Sequence, residues 1–262
     1  MSFLEQLEVR AAAAGGRVAL AEGHDPRVVE AAADLAARGV FEIFLVCPEG
    51  DRRDAHAPLE AAGVEIVDPA TDSRREDLAA FLHQRRAHKG LSELEALDAI
   101  GDPLYFASLL VATGLADASV GGAVRTTADT VRAALHSIGP GAGLRTVSSA
   151  FVMVHPDPSW GDEGVMVFSD CAVLPDPDPE QLAEIAISAA ATFRSIVGGE
   201  PRVALLSFST KGSASHPLVA KVEAACAELG SRDLDFEFDG ELQFDAALVS
   251  RVGESKAPGS AV

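Results

Sequence analysis

In the N-terminal half of the chain, short unbroken apolar runs alternate with stretches whose apolar residues recur at helical spacing. Arg17-Val-Ala-Leu-Ala-Glu22, Glu42-Ile-Phe-Leu-Val-Cys47 and Val64-Glu-Ile-Val-Asp68 each read as a buried strand. Between the first two, Val28, Ala32, Leu35 and Ala36 fall on one face of a helix that Gly39 can end. Leu78, Phe81 and Leu82 mark another helix, and Leu104–Thr113 is an apolar helix closed by Gly114. This alternation predicts a parallel sheet covered by helices.

The texture changes near Arg145. Thr146–His155 and Val165–Val173 read as two strands joined by a polar loop holding Pro156, Pro158, Trp160 and Gly161. The turn Pro175-Asp-Pro-Asp-Pro179 then starts a long helix: Asp178 can cap it, Pro179 suits its first turn, and Glu180 complements the helix dipole. Leu182, Ile185, Ala186 and Ala189 supply its apolar stripe. Arg202–Ser209 is a further buried strand, followed by a small-residue loop and the helix Pro217–Leu229. These patterns divide the chain into an N-terminal α/β domain over residues 1–145 and a second α/β domain over residues 146–262. No internal repeat is visible.

Charge narrows the partners. With 40 acidic and 21 basic residues the net charge is −19, which argues against nucleic acid, since that binding rests on Lys and Arg neutralising phosphates. An anionic small substrate remains compatible, because a few arginines in a cleft create a local positive field. The lysines are only Lys89, Lys211, Lys221 and Lys256, a usage that GC-rich coding or a salty habitat would each produce. No apolar run reaches the length of a bilayer span, and the start has no signal-peptide pattern, so the expected compartment is the cytoplasm. Cys47, Cys171 and Cys226 are too far apart for a disulfide framework or a zinc site and read as buried, inert thiols.

Two strand-to-helix loops could carry chemistry. Ser207-Phe-Ser-Thr-Lys-Gly-Ser-Ala-Ser215 stands where open α/β sheets bind ligands. The hydroxyls of Ser207, Ser209, Thr210 and Ser213, the charge of Lys211 and the backbone at Gly212 suit a phosphate or pyrophosphate, although this is not a Walker A loop. Gly121-Gly-Ala-Val-Arg-Thr-Thr-Ala-Asp-Thr130 follows the strand-like Asp117–Val120, with Gly122 allowing close approach and Thr126 and Thr127 offering hydroxyls. Arg125 and Arg132 flank the helix start, where a guanidinium could grip phosphate bidentately; on the residues alone, Arg132 reads as a solvated helix residue. His83-Gln-Arg-Arg-Ala-His-Lys-Gly90 is the one dense basic stretch and reads as a helix surface or an anion grip. His24 follows the first strand and reads as a turn residue. Metalloprotease, α/β-hydrolase and dinucleotide fingerprints are absent.

Several of these segments, in order, resemble the phosphate acetyltransferase family, with the phosphate butyryltransferases beside it. They are Val18–Arg27, Arg86-Ala-His-Lys-Gly90, Tyr105–Asp117, Gly122–Ala128, Phe168–Val173, Gln181–Ala186, Ser207–Ser213 and Asp239-Gly-Glu-Leu-Gln-Phe-Asp-Ala-Ala247. The resemblance implies two three-layer α/β domains with a cleft between them, a homodimer, and metal-free transfer of acetyl between coenzyme A and phosphate. Coenzyme A is then a substrate, and no separate cofactor is expected. It makes Arg132 the first candidate for contacting the phosphoryl group and Arg86, or its neighbour Arg85, the second. The cleft is expected to be lined by Gly121–Arg132 and Ser207–Ser215. Gly121 stands where the family commonly has Ser, and Asp176-Pro-Asp178 replaces a usual Asn-Pro-Thr. In the family, the region after Lys256–Val262 leads into further strands and an Asp-Leu-Ser-Arg-Gly segment that supplies phosphoryl-site groups; these 262 residues lack it. The sequence therefore reads as a shortened member with impaired activity, or as a non-catalytic remnant that acts as an oligomerisation or regulatory partner.

Overall fold

The computed structural model describes residues 1–262, which divide into two compact units, Met1–Gly139 and Pro140–Val262. In the first, the elements run α1 (Phe3–Ala14), β1 (Arg17–Leu20), α2 (Pro26–Arg38), β2 (Glu42–Val46), α3 (Ala57–Ala61), β3 (Glu65–Val67), α4 (Arg75–Arg86), α5 (Glu93–Ala99), α6 (Pro103–Ala112), β4 (Ala118–Val120) and α7 (Thr127–Ser137). All strand pairs are parallel and the sheet order is β3-β2-β1-β4. Alternation along the strands sends neighbouring residues to opposite faces. Ala19, Phe44 and Val46 pack with Leu78, Leu82, Phe106, Leu109 and Leu110 from α4 and α6. Leu20, Ile43 and Leu45 pack with Ala32 and Leu59 from α2 and α3. Helices therefore cover both faces of the sheet.

The helix ends follow the chemistry of their sequences. Asp25 accepts the N–H of Arg27 ahead of Pro26, and Gly39 closes α2 in the left-handed conformation. Asp102 caps α6 ahead of Pro103 in the same way. The helix α1, which periodicity did not single out, is held by a capping box between Ser2 and Glu5 and buries no residue fully.

The second unit contains β5 (Ala150–Val154), β6 (Val165–Ser169), α8 (Pro179–Ile196), β7 (Arg202–Leu206), α9 (Pro217–Gly230), β8 (Glu237–Leu242), α10 (Phe244–Leu248) and α11 (Ser250–Lys256). Strands β5 and β6 form an antiparallel pair, and β7 and β8 a parallel pair. Leu205 and Val203 of β7 and Phe238 of β8 pack against Ala183 and Ala186 of α8 and Val222, Ala225 and Leu229 of α9. Asp178 caps α8 by accepting the N–H of Gln181, whose side chain returns a bond to the Asp178 N–H. Aspartate thus fills the capping position of the Asp-Pro-Asp variation.

Candidate functional site

In the first unit the chain builds the sheet outward from β1 to β3 and then crosses to place β4 on the other side of β1. The order reverses between β1 and β4, and in open α/β sheets the crevice beyond the strand ends at such a point receives ligands. Two loops meet there: Glu22–Asp25 after β1 and Gly121–Thr126 after β4.

Their junction is built on one carboxylate. Glu22 is buried, 1% exposed, and takes a left-handed backbone with φ 61°. Its carboxylate accepts the N–H groups of Gly122 (2.7 Å), Ala123 (2.7 Å), Val124 (3.0 Å) and Arg125 (2.7 Å). Burial pushes the Glu22 carboxyl up, but the four N–H donors outweigh burial and hold it below its ordinary value. Arg27 closes the other side, with Nη2 donating to the Ala123 carbonyl at 2.5 Å while it pairs with Asp25. Arg125 Nη2 pairs with Asp102 Oδ2 at 2.5 Å. The Gly122 N–H, expected to approach a phosphate, is therefore committed to a side chain of the protein itself. Thr126 caps α7, bonding to the N–H and carboxylate of Asp129, and Thr127 is exposed on the first turn. Arg132 pairs with Asp129 at 2.7 Å and remains about half exposed. His24 is exposed in its turn.

The basic stretch resolves into separate roles. Arg85 Nη2 donates to the Ile138 carbonyl at 2.8 Å, and its guanidinium lies over the Phe81 ring. Arg86 instead lines a cavity of about 260 Å³ together with Leu82, Lys89, Glu95, Tyr105 and His136. Tyr105 Oη and His136 Nδ1 are 2.7 Å apart. Burial raises the Tyr105 hydroxyl, with Arg132 and Arg86 opposing; burial lowers His136, as do Arg86 and Arg132. The two arginines singled out from sequence thus share an electrostatic neighbourhood with Tyr105 and His136, which sequence reasoning missed. A larger cavity of about 440 Å³ lies at the opposite, N-terminal ends of β1 and β2, lined by Gly16, Arg17, Gly39, Phe41 and Glu42. It contains none of the expected residues.

The second unit repeats the device of the first. Glu241, at the end of β8, is buried and accepts the Ser209 hydroxyl at 2.7 Å and the Gly212 N–H at 2.9 Å. Burial pushes Glu241 up, and the Gly212 and Ser209 donors bring it below its ordinary value. Ser209 is 0% exposed, and its Oγ also accepts the Ala214 N–H at 3.0 Å. Thr210 bonds to Gln243 through its hydroxyl, and its N–H donates to Ser213 Oγ at 3.0 Å. Lys211, with φ 49°, pairs with Asp239. The hydroxyls of Ser209 and Thr210 face inward and shape the loop, while Lys211, Gly212 and Ser213 form its exposed rim; Ser207 is half-buried and accepts the Ser209 N–H at 3.2 Å. Two more carboxylates, buried Glu184 and half-buried Asp170, hold loops of this unit. Glu184 accepts the N–H groups of Arg145 and Thr146, and Asp170 those of Ser149, Ala172, Val173 and Leu174.

Sheet order and switch point together define an open α/β protein, with Arg86 and Lys89 in the wall of a cavity beside the sheet's helices. The chain belongs to the family described as Phosphate acetyl/butaryl transferase, whose sequence profile matches residues 2–262. It is 40% identical over 262 residues to the phosphate acetyltransferase of Thermoanaerobacterium thermosaccharolyticum, covering 100% of this chain and 80% of that protein. It is 42% identical over 271 residues to the phosphate acetyltransferase of Treponema pallidum, again with 100% and 80% coverage. The crystal structure of a phosphotransacetylase from Streptococcus pyogenes matches with a TM-score of 0.86 at 35% identity, over 100% of this chain and 79% of that one.

Proposed function

We propose that this protein catalyses the reversible transfer of an acetyl group between coenzyme A and inorganic phosphate. The observation that carries the proposal is identity of about two residues in five, along the whole chain, to proteins named phosphate acetyltransferase. In the direction of thioester formation, the coenzyme A thiol loses its proton and its sulfur attacks the acetyl phosphate carbonyl. The C–O bond to phosphate breaks and inorganic phosphate leaves. A cationic site favours this reaction because charge on the phosphoryl oxygens grows as the bond breaks. Arg132 and Arg86 are the residues proposed to meet that charge. Gly122, Thr126, Thr127 and the loop Ser207–Ser213 are proposed as substrate-binding walls, with Lys211, Gly212 and Ser213 the groups that present themselves to solvent. Coenzyme A and phosphate act as substrates, no further cofactor takes part, and the protein works as a homodimer in the cytoplasm.

The preference for acetyl over butyryl follows the relatives' names, and a rate comparison between acetyl phosphate and butyryl phosphate tests it. The activity itself is tested by thioester formation from acetyl phosphate and coenzyme A. Two forms serve: the chain alone, and the chain joined to the portion of the Thermoanaerobacterium relative outside the alignment. Turnover that requires both substrates supports the proposal, and thioester formation no faster than without protein in both forms rejects it.

A further inference from the structure

The cavity beside Arg86 has an unusual wall. Arg86 comes from the end of α4, Lys89 from the turn after it, Glu95 from α5, Tyr105 from α6 and His136 from α7. Arg86 has no carboxylate partner, whereas its neighbour Arg85 is spent on the Ile138 carbonyl. The Glu95 carboxylate is occupied by the N–H and hydroxyl of Ser92. Its charge offsets only one of the two cations that line the cavity, Arg86 and Lys89, so the wall keeps a net positive charge. Arg132, one helical turn before His136 on α7, adds to it and is shared only with Asp129 on the helix surface.

His136 stands in this field as a group that can change charge. Tyr105 Oη and His136 Nδ1 lie 2.7 Å apart, so a neutral ring protonated on Nε2 accepts there from the hydroxyl, and a ring protonated on both nitrogens donates there to the phenol oxygen. Burial, Arg86 and Arg132 all favour that neutral form while the cavity holds no anion. An anion between Arg86, Lys89 and His136 reverses the balance, because it cancels the two arginines' repulsion and attracts an imidazolium. We propose that this cavity takes a phosphate dianion, and that its binding is coupled to uptake of one proton by His136, with Tyr105 fixing the ring. The ligand class rests on the reading of Arg86 given above; the assignment of His136 and Tyr105 goes beyond it. The dianion could be free phosphate, the phosphoryl group of acetyl phosphate, or the 3′-phosphate of coenzyme A.

The experiment is a pH titration of the histidine Cε1–H signals by NMR, with and without saturating inorganic phosphate. The His136 signal is identified among seven histidines by its loss in His136→Gln. We expect phosphate to raise the His136 midpoint by at least about one pH unit, which corresponds to tenfold tighter binding by the protonated form. In His136→Gln, which keeps a donor but cannot titrate, phosphate affinity should follow only the titration of phosphate itself. Repeating the measurement with coenzyme A and with 3′-dephospho-coenzyme A identifies the source: a response to the first alone marks the nucleotide phosphate. If phosphate binds and the His136 midpoint stays where it was, the coupling is wrong and the reading of Arg86 survives. If none of these ligands perturbs the His136 signal at any pH, both are wrong.

Discussion

Glu22 and Glu241 show how much of this architecture rests on single residues. Each lies at or just past the end of a strand, is buried, and spends its negative charge on donors of the loop that follows the neighbouring strand: four N–H groups for Glu22, the Gly212 N–H and the Ser209 hydroxyl for Glu241. Glutamine at position 22 offers one acceptor oxygen and an NH₂ that faces donors. Glu22→Gln is expected to cost on the order of 2–4 kcal/mol in chemical denaturation, because charged hydrogen bonds are lost and buried donors go unpaired. A cost below about 0.5 kcal/mol would show that the loop holds its shape without the carboxylate. Arg132 is different, being half exposed and paired only with Asp129 on the same helix. Its replacement by Ala should leave stability nearly unchanged and lower kcat/KM at least about tenfold, the effect of one charge-assisted hydrogen bond to the phosphoryl group. Equal kinetics would return Arg132 to a solvated helix residue. From the sequence the loops were legible but the anchors were not. A glutamate closing the apolar run Val-Ala-Leu-Ala-Glu22 was the available signal, since an acid at the end of a buried strand must find donors.

At the scale of elements, periodicity carried most of the information. The apolar runs became β1, β2, β3 and β7, Gly39 did close α2, and Pro179 did open α8. What the pattern overestimated was strand length: the expected Thr146–His155 shrinks to Ala150–Val154, and Val165–Val173 to Val165–Ser169. The reason is Asp170 and Glu184, whose carboxylates take the backbone donors of 145–146 and 172–174 that a longer ladder would have used. The short helices α5 and α10 gave too few turns for periodicity to register. The start of α7 depends on close packing beneath Gly121. A Cβ there would sit 2.5 Å from Leu104 Cδ2 and 3.4 Å from Ala21 Cβ. Gly121→Val should therefore destabilise the protein by about 1–3 kcal/mol. Pairing it with Leu104→Ala should show positive coupling in a double-mutant cycle, while strict additivity would place the strain elsewhere.

For the whole molecule, charge sets the response to pH and salt. Glu22, Glu184, Glu241 and Asp170 all have folded-state values depressed by the N–H and O–H groups they accept, despite burial. A depressed carboxyl stabilises fully above its ordinary value, 4.5 for Glu and 3.8 for Asp, and that contribution disappears as pH falls through the depressed value. Stability should be level from neutrality to about pH 5 on this account and fall steeply below about pH 4. Glu22→Gln should flatten part of that fall. At neutral pH a net charge of −19 repels itself, and exposed ion pairs offset little of this. Raising salt from about 0.01 M to about 0.5 M should raise Tm, since screening relieves the repulsion; a lower Tm would mean that the ion pairs dominate.

The central claim is acetyl transfer between coenzyme A and phosphate through a site that uses Arg132 and Arg86. Its most direct test is the initial rate of acetyl-coenzyme A formation from acetyl phosphate and coenzyme A, measured for the protein and for Arg132→Ala and Arg86→Ala in the same background. The account predicts turnover that saturates in both substrates and falls at least about tenfold in each variant. Thioester formation that matches the protein-free rate, or that is indifferent to both arginines, would contradict it.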